Sequence, residues 1–367
     1  MRFIKLPWRL YRNEPHWVPP LISARKRHLD RDRNPFFQHA EAEYFLAWRE
    51  GEPVGRISAH VDHRLNEFHG TNWGQFGFFE SEENFDTANE LLAAAEAWLR
   101  ARGKDNMVGP MDFTTNHECG LLVEGFERRP QILENWHHPY YAAMIDSYGL
   151  GKAMDLLKWE LHISDREKML PVLFELAEKV EPEHGVHVRP MDKHHFHHEV
   201  RAFMDVYNAA WEKNWAFVPL TDSELELYAR ELKPILDENW AWVAEKGEEV
   251  VGAALTIPDY NQILRRVNGR LLPFGWVHFL RARKEIDSVR VFALGVKPEY
   301  QHTGVAAKFY VEHFNSAART PQKWGEMGWI LETNTAMNRG MEAMNGRIVK
   351  RYRVYEKPLS GQRPTEQ

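Results

Sequence analysis

The sequence predicts an α/β protein built from two similar units in tandem, each a mixed, twisted sheet flanked by helices. A strand–turn–strand pattern occurs twice, as 44–48 with 53–61 and as 240–244 with 249–257. After each hairpin come a third strand, a helix, another strand, another helix and a closing extended segment, in the same order. This repeated order indicates an internal duplication whose halves join near Ser164.

The elements that follow each hairpin are predicted from hydrophobic periodicity and turn residues. The predicted strands are 74–80, 107–113, 289–296 and 329–332, the predicted helices are 86–100, 139–148, 305–318 and 336–345, and the closing segments are 153–162 and 348–356. The predicted domains are therefore 1–164 and 165–367. Four prolines among the first 20 residues, beginning with Pro7, favour extended and turn structure over helix there.

Composition restricts the function classes. A length of 367 residues with 43% hydrophobic content fits two globular domains, and a net charge of −6 argues against general nucleic-acid binding. One cysteine, Cys119, excludes an internal disulfide. No pattern of carboxylates or cysteines near the four histidines within 194–198 completes a metal site, so we expect no metal. No apolar run is long enough to span a membrane and no signal peptide is visible, so we expect a cytoplasmic protein.

The residues from 288 to 314 form the most informative stretch of the chain. A buried apolar strand at 289–296 is followed by a turn that contains Gly304 and then by an amphipathic helix. Unpaired backbone N–H groups and the positive end of the helix dipole meet at this turn, and such a point binds phosphate or pyrophosphate. Glycine keeps the backbone accessible to the anion. The alternative is that Gly304 only provides the geometry of an ordinary strand–helix turn.

This stretch resembles the acetyl-CoA-binding loop of the GNAT acyltransferases. The matching residues are Gln301, Gly304 and Ala306, preceded by the lead-in LGVKPEY. The segments GPMDFTTNHECGLLVEGF, HPYYAAMIDSYGLGKAMDL and PWRLYRNEPHWVPPL extend the resemblance over nearly the whole chain, to the tandem-GNAT bacterial proteins that include the ceramide synthases. The resemblance implies a tandem GNAT fold and transfer of an acyl group, such as a fatty acyl group, from a CoA thioester to a primary amine, such as that of a sphingoid base.

The resemblance implies two sets of cofactor-binding residues. The residues implied to hold the pyrophosphate of acyl-CoA or acetyl-CoA are Gln301, His302, Thr303, Gly304, Val305 and Ala306. The residues whose backbone N–H groups are implied to face the thioester are Leu294, Gly295 and Val296. The first domain has the acidic segment SEENFD where the second has its glycine loop, so we expect it not to bind CoA.

Proton transfer needs a base near the thioester. Glu332 ends the strand after the CoA-binding helix, beside Asn334, and is the candidate base; a surface or helix-capping role is the alternative. Many GNAT enzymes use a Tyr as the general acid at the position where this chain has Asn345. Tyr352 is therefore the substitute candidate for the general acid. This departure also keeps open a non-catalytic acyl-CoA-binding module, and acetylation of a small molecule is a third alternative.

The acceptor is expected at polar and aromatic residues elsewhere in the chain. Asn116, His117 and Glu118 occupy the first-domain position equivalent to the segment around Glu332, although a buried hydrogen-bonded turn would explain them too. An insertion at 264–286 mixes apolar with basic residues. Tyr260 lies just before this insertion, and Trp276 lies within it. Such an insertion can contact an anionic membrane surface on the inner face, cover a long acyl chain, or simply pack on the core.

Overall fold

The computed structural model describes residues 1–272 and 275–359. The strands are β1 Ala40–Arg49, β2 Glu52–Asp62, β3 Trp73–Ser81, β4 Asn106–Gly109, β5 Leu121–Glu124, β6 Gly151–His162, β7 His187–Pro190, β8 Ala241–Lys246, β9 Glu249–Pro258, β10 Ser288–Val296, β11 Trp324–Leu331 and β12 Arg347–Pro358. The helices are α1 Arg2–Leu10, α2 Ile22–His28, α3 His63–His69, α4 Phe85–Arg100, α5 Tyr140–Ser147, α6 Pro171–His184, α7 Phe196–Trp211, α8 Asp222–Leu232, α9 Asn261–Val267, α10 Gly275–Ala282, α11 Val305–Arg319 and α12 Thr335–Ala343.

The chain divides into two compact units. Unit 1 contains Met1–Leu156, Asn268–Arg270 and the described residues from Lys350 onward, and unit 2 contains Leu157–Val267 and the described part of Leu271–Val349. Strand order in unit 1 is β1-β2-β3-β4-β12, with β5 also paired to β12. Strand order in unit 2 is β6-β11-β10-β9-β8-β7. Each unit therefore has a mixed sheet, which confirms the predicted fold class.

The repeated elements of the sequence are present in both units. The two predicted hairpins are β1–β2 and β8–β9, each antiparallel with one register shift. The predicted third strands are β3 and β10, and the helices after them are α4 and α11. Strand β4 ends at Gly109, earlier than predicted, because the chain then turns and Met111 donates its N–H to the carbonyl of Phe76. The domain boundary near residue 164 stays a prediction, since the closing strands β6 and β12 each contribute residues to both units.

The prediction of extended and turn structure at the N-terminus is wrong for Arg2–Leu10, because α1 runs through Pro7, whereas residues 11–21 contain only turns, bends and irregular backbone. Proline cannot donate to the carbonyl four residues earlier, here that of Phe3, which usually disrupts a helix. In unit 1 the Arg56 Nη1 donates to this carbonyl at 2.8 Å and replaces the missing hydrogen bond. The donor lies 53 residues away in the sequence, so the local pattern could not reveal it.

The sheet of unit 2 is covered by different helices on its two faces. On one face, Val291, Leu294 and Val296 of β10 pack in a core with side chains of α6 and α11. On the other face, Phe292 packs against a core that includes side chains of α7 and α8. A strand that is buried on both faces reads as a nearly continuous apolar run, as β10 does from residue 291 to residue 296.

A buried ion pair in unit 1 generates a stability prediction. Lys350 Nζ lies 3.8 Å from Glu134 Oε2, and both side chains are fully buried. Lys350→Met should lower the free energy of unfolding by about 3–5 kcal/mol, because the carboxylate of Glu134 would lose its counter-charge while remaining buried. Urea unfolding followed by fluorescence measures the change.

The matched control is Lys179→Met, which removes an ion pair whose partners are each 55% exposed. This change should cost no more than about 1 kcal/mol. A double variant, Lys350→Met with Glu134→Leu, should recover much of the loss. Equal stability of Lys350→Met and the wild-type protein would contradict the assignment of Lys350 as the essential counter-charge.

Candidate acyl-CoA site

An opening in the sheet of unit 2 separates β10 from β11. Strand β10 pairs with β11 only from Ser288 to Val291, opposite Trp324 to Met327. On its other side, β10 stays paired with β9 as far as Val296. The second half of β10 therefore has one hydrogen-bonded edge and one edge that faces the opening.

The direction of the backbone N–H groups follows from the pairing with β9. Lys297 donates its N–H to the carbonyl of Val251, so the N–H of Gly295, two residues earlier, also faces β9. The N–H groups of Leu294 and Val296 consequently point into the opening. Gln301 Nε2 lies 3.3 Å from the carbonyl oxygen of Val296, which shows that this edge of Val296 can be reached by hydrogen-bonding groups.

Gly295 allows a helix to approach the strand at the opening. A Cβ atom at this position would overlap the indole ring of Trp211 and come within 3.0 Å of the Cβ of Ala210, both on α7. Of the three residues predicted to face the thioester, the alternation therefore favours Leu294 and Val296 as donors. Gly295 instead provides the space that α7 needs.

The loop before α11 forms a site with free backbone donors. A 3₁₀ turn, Pro298–Thr303, leads to Gly304, whose φ of 84° is in the left-handed region. A Cβ atom there would lie 2.8 Å from the carbonyl oxygen of Leu176 on α6. Among the described residues, no side chain caps α11 and its first turn carries no acid. The first-turn N–H groups and the helix dipole are thus free to bind an anion.

The side chains of this loop have different environments. Gln301 and His302 are exposed, whereas Val305 is fully buried in the core. Thr303 is buried and its hydroxyl donates to the carbonyl of Tyr300 at 2.6 Å. Ala306 is half-buried. Anion binding at this loop would therefore rely on the backbone, with Gln301 and His302 at its margin.

The equivalent helix in unit 1 is closed to an anion. The side chain of Asn84 accepts a hydrogen bond from the N–H of Thr87 at 2.9 Å and caps α4, and Asp86 lies in the first turn. On the strand before this helix, the N–H of Phe78 donates to Asp112 Oδ1 at 2.8 Å. These contacts support the prediction that unit 1 does not bind CoA.

Glu332 and Asn334 lie in the turn between β11 and α12. Glu332 is half-buried. The amide of Asn338 donates to the carbonyl of Leu331 at 3.1 Å, and its oxygen accepts from Trp159 Nε1 at 3.0 Å, which holds the end of β11 in place. The side chain of Asn334 accepts from the N–H of Met337 and caps α12. The structure therefore gives Asn334 a capping role and leaves the role of Glu332 open to experiment.

The remaining catalytic candidate, Tyr352, lies in unit 1. Its side chain is fully buried and its hydroxyl donates to the carbonyl of Asn135 at 2.9 Å. The CoA loop lies in unit 2. Asn345, which stands where many GNAT enzymes have Tyr, adopts a φ of 61° just after α12 and donates to Asp165 Oδ1 at 3.1 Å.

The predicted acceptor residues fall in both units. In unit 1, Thr114 Oγ1 lies 3.1 Å from His117 Nδ1 and also accepts from the N–H of Asn116, while Glu118 forms an ion pair with Arg25. In unit 2, Tyr260 is buried with its ring stacked on Phe279 at 5.0 Å.

Trp276, the other acceptor candidate of unit 2, is 50% exposed.

Two buried charged residues lie at the start of the opening, and the sequence analysis did not predict them. Arg290 of β10 lies opposite Glu326 of β11 in the register, one rung before the strands separate, and both are 2% exposed. The Arg290 guanidinium lies 5.0 Å from the ring centroid of Trp329 and 5.4 Å from that of Phe292, both beyond the last paired rung. A single charged residue inside each apolar strand was the signal that could have revealed this pair.

Comparisons with known proteins give one consistent relationship. The bacterial ceramide synthase of Caulobacter vibrioides (strain NA1000 / CB15N) is 36% identical over 366 residues, covering 98% of this chain and 94% of that protein. Protein YghO of Escherichia coli (strain K12) is 34% identical over 363 residues, covering 97% and 92%. No protein-family model matches the chain.

Solved structures share the fold at low identity. A tandem GNAT protein from the clavulanic acid biosynthesis pathway aligns with a TM-score of 0.55 and 9% identity over 99% of this chain and 95% of that one. A GCN5-related N-acetyltransferase from Sphaerobacter thermophilus aligns with a TM-score of 0.50 and 12% identity over 86% and 81%.

Three observations indicate the same family. They are the sequence identity above one third over nearly the full length, the tandem GNAT architecture, and the opening beside an uncapped helix. The chain belongs to the tandem-GNAT group of acyltransferases that includes the bacterial ceramide synthase.

Proposed function

We propose that this protein transfers a fatty acyl group from acyl-CoA to the primary amine of a long-chain base. The observation that carries the proposal is the opening in unit 2, where the free N–H groups of Leu294 and Val296 lie on the strand that leads into the uncapped N-terminus of α11. The name of the relative that is 36% identical supports a sphingoid base as the acceptor class.

The arrangement provides the parts that thioester aminolysis needs. The neutral amine attacks the thioester carbonyl carbon, and the N–H groups of Leu294 and Val296 stabilise the negative oxygen that develops. Collapse of the tetrahedral intermediate breaks the carbon–sulfur bond, and the CoA sulfur leaves as a thiolate that takes up a proton. Glu332 accepts the proton lost by the amine, directly or through a water molecule.

The insertion supports a lipid-like substrate or a membrane surface. Leu272 is 77% exposed and Trp276 is 50% exposed, which is unusual for large apolar side chains. Basic residues, including Arg265 and Lys284, flank them, and this combination suits an anionic lipid surface. Phe274 and the side chains of Arg281 and Arg283 lie outside the described residues. Within the described chain, no helix has the length and apolarity to cross a membrane.

Two other functions remain as outcomes of the same experiments. Acetylation of a small molecule would use the same CoA loop but would show no preference for long-chain donors. A non-catalytic acyl-CoA-binding module, suggested by Asn345 at the position of the usual Tyr, would bind acyl-CoA without turnover. Product mass spectrometry with a panel of acyl-CoAs and amines, sphingoid bases included, distinguishes all three.

Gly304→Glu tests the CoA loop. The side chain would meet the carbonyl of Leu176, require an unfavourable φ of 84° and place a negative charge at the pyrophosphate position. Acyl-CoA affinity measured by calorimetry should fall at least about 100-fold, the loss expected for about 3 kcal/mol. Gly51→Glu, at a φ of 83° with open space around it in unit 1, is the matched control and should bind normally. Unchanged affinity in Gly304→Glu would remove this loop as the CoA site.

Glu332→Gln tests the proposed base. It keeps the shape of the side chain and removes the proton acceptor, so kcat should fall by about 10²–10⁴ while acyl-CoA affinity stays the same. Glu342→Gln, an exposed acid on α12, should leave kcat unchanged. Wild-type turnover by Glu332→Gln across the pH range would assign the proton transfer to another group.

The double variant Leu272→Ser with Trp276→Ser tests the insertion. Burying either side chain in lipid is worth about 1.5–3 kcal/mol, so loss of both should weaken binding to anionic vesicles by tenfold or more. Cosedimentation with phosphatidylglycerol vesicles measures this loss. Ile348→Ser, which removes another exposed apolar side chain that is 44% exposed, is the control. Equal vesicle binding by the wild type and the double variant would show that these side chains do not contact the membrane, which would leave the insertion a structural role only.

A further inference from the structure

Unit 1 contains a cluster of charged and polar side chains that the proposed chemistry does not use. We call it the Asp112 cluster and define it as Arg25, His28, Asp112, His117 and Glu118. Arg25 and His28 come from α2, and the other three come from the segment after β4. The side chains of Arg25, Asp112 and Glu118 are only 18%, 10% and 14% exposed.

The cluster lies where the sheet of unit 1 begins to separate. Strand β3 pairs with β4 only as far as Gln75, opposite Val108. Three residues later, the N–H of Phe78 donates to the carboxylate of Asp112, so this carboxylate occupies the strand edge that is open in unit 2.

Backbone strain accompanies the Asp112 carboxylate. Phe78, its hydrogen-bond donor, has a φ of 50°, and Phe113, the next residue in the chain, has a φ of 90°. Left-handed backbone is unfavourable for residues with a bulky side chain and is maintained only where the surrounding structure compensates for it. The strained residues Phe78 and Phe113 both adjoin the buried Asp112 carboxylate, and this supports a functional role for Asp112.

Within the cluster, one positive side chain faces two carboxyl groups. Arg25 Nη1 lies 3.4 Å from Asp112 Oδ2, and Nη2 of the same guanidinium is hydrogen-bonded to Glu118. Within the cluster, one guanidinium therefore contacts both carboxylates, and Arg56 of β2 adds a further positive charge near Asp112. Burial disfavours the charged form of Glu118, but the charge of Arg25, hydrogen bonds to the carboxylate and the neighbouring His117 together outweigh burial. They lower the pKa of Glu118, which therefore stays ionised.

His28 adds a hydrogen-bond acceptor to the cluster. Burial and the charge of Arg25 lower the pKa of His28 to about 3, so the ring is neutral at pH 7. The ring hydrogen-bonds to the backbone of Asp112, while its Nε2 is buried and has no hydrogen-bond partner among the described residues. The ring centroid lies 4.6 Å from that of His117. In a neutral imidazole that donates through Nδ1, Nε2 is an acceptor that awaits a donor.

The cluster thus combines carboxylates with an unpartnered hydrogen-bond acceptor, a combination that suits a ligand with N–H donors and positive charge. We propose that the Asp112 cluster binds a primary ammonium group, with the carboxylates of Glu118 and Asp112 and Nε2 of His28 as acceptors. A primary ammonium has three N–H donors, which matches these acceptors. A metal ion fits less well, because no group of three or more His, Cys, Asp and Glu side chains in the described chain is arranged to hold one. The ligand class follows from the cluster; that this amine is the acyl acceptor rests on the proposed function.

The pH dependence of binding follows from Asp112. Burial and the neighbouring Glu118 raise the pKa of Asp112 to about 7, against the opposing charge of Arg25. The other charged or titratable groups near it are Arg56 of β2, His28 of α2 and Cys119 of the same segment. A primary amine keeps its proton to about pH 10. Amine binding should therefore strengthen as the pH rises through about 7, because Asp112 then becomes negative.

Calorimetry of the full chain with octylamine, without acyl-CoA, tests the proposal. Octylamine should bind, whereas octanol, which has no charge, and octyltrimethylammonium, which has no N–H donor, should bind at least tenfold more weakly. Glu118→Gln should reduce octylamine affinity tenfold or more, and Asp112→Asn should remove the rise in affinity near pH 7. Glu67→Gln, which changes an exposed acid on α3, is the matched control and should bind as the wild type does.

His28→Phe keeps the proposal testable if the charge variants do not fold, because it keeps a neutral aromatic ring and removes the Nε2 acceptor, together with the ring's hydrogen bond to the backbone of Asp112. It should reduce octylamine affinity at least threefold, and cooperative thermal unfolding should show that the variant folds. Equal binding of octanol, or wild-type octylamine affinity in both His28→Phe and Glu118→Gln, would overturn the proposal. Gly304→Glu should retain octylamine binding, so failure of the acyl-CoA site and failure of the amine site give different results.

Discussion

The separation of β10 from β11 after Val291 is the constraint on which the proposed acyl-CoA site depends. Pairing with β9 continues on the other side and holds the strand in place, so alternation of the backbone directs the N–H groups of Leu294 and Val296 into the gap. Backbone donors held by a sheet need little reorganisation when negative charge develops beside them. The opening supplies this property without any special side chain, and the neighbouring Gly304 extends it to the end of α11.

The two units show how one topology can acquire different chemistry. In unit 2 the helix after the third strand begins with a glycine and has no side-chain cap among the described residues. In unit 1 the side chain of Asn84 caps the equivalent helix, and the carboxylate of Asp112 takes the strand N–H that faces the gap. A few side chains that accept hydrogen bonds from these backbone N–H groups therefore prevent anion binding. Each N–H group can donate either to the protein or to a ligand.

Buried charges occur in both units at the point where parallel strands separate. Arg290 and Glu326 lie one rung before the gap in unit 2, and Arg25 joins two carboxylates beside the gap in unit 1. Removing charges from water is costly unless partners compensate for them. In unit 1 such groups form the proposed ammonium site.

The sequence by itself determined the repeated order of elements, the strand–turn–helix around Gly304 and the loss of the glycine loop in the first repeat. These features depend on local periodicity and turn chemistry, which a short segment contains. Only the tertiary structure decided that Tyr352 lies in the core of unit 1, that Arg56 makes the helix through Pro7 feasible, and that Arg25 reaches Asp112 across 87 residues. Such contacts join residues far apart in the chain, and the pairing of strands, which no local pattern specifies, brings them together.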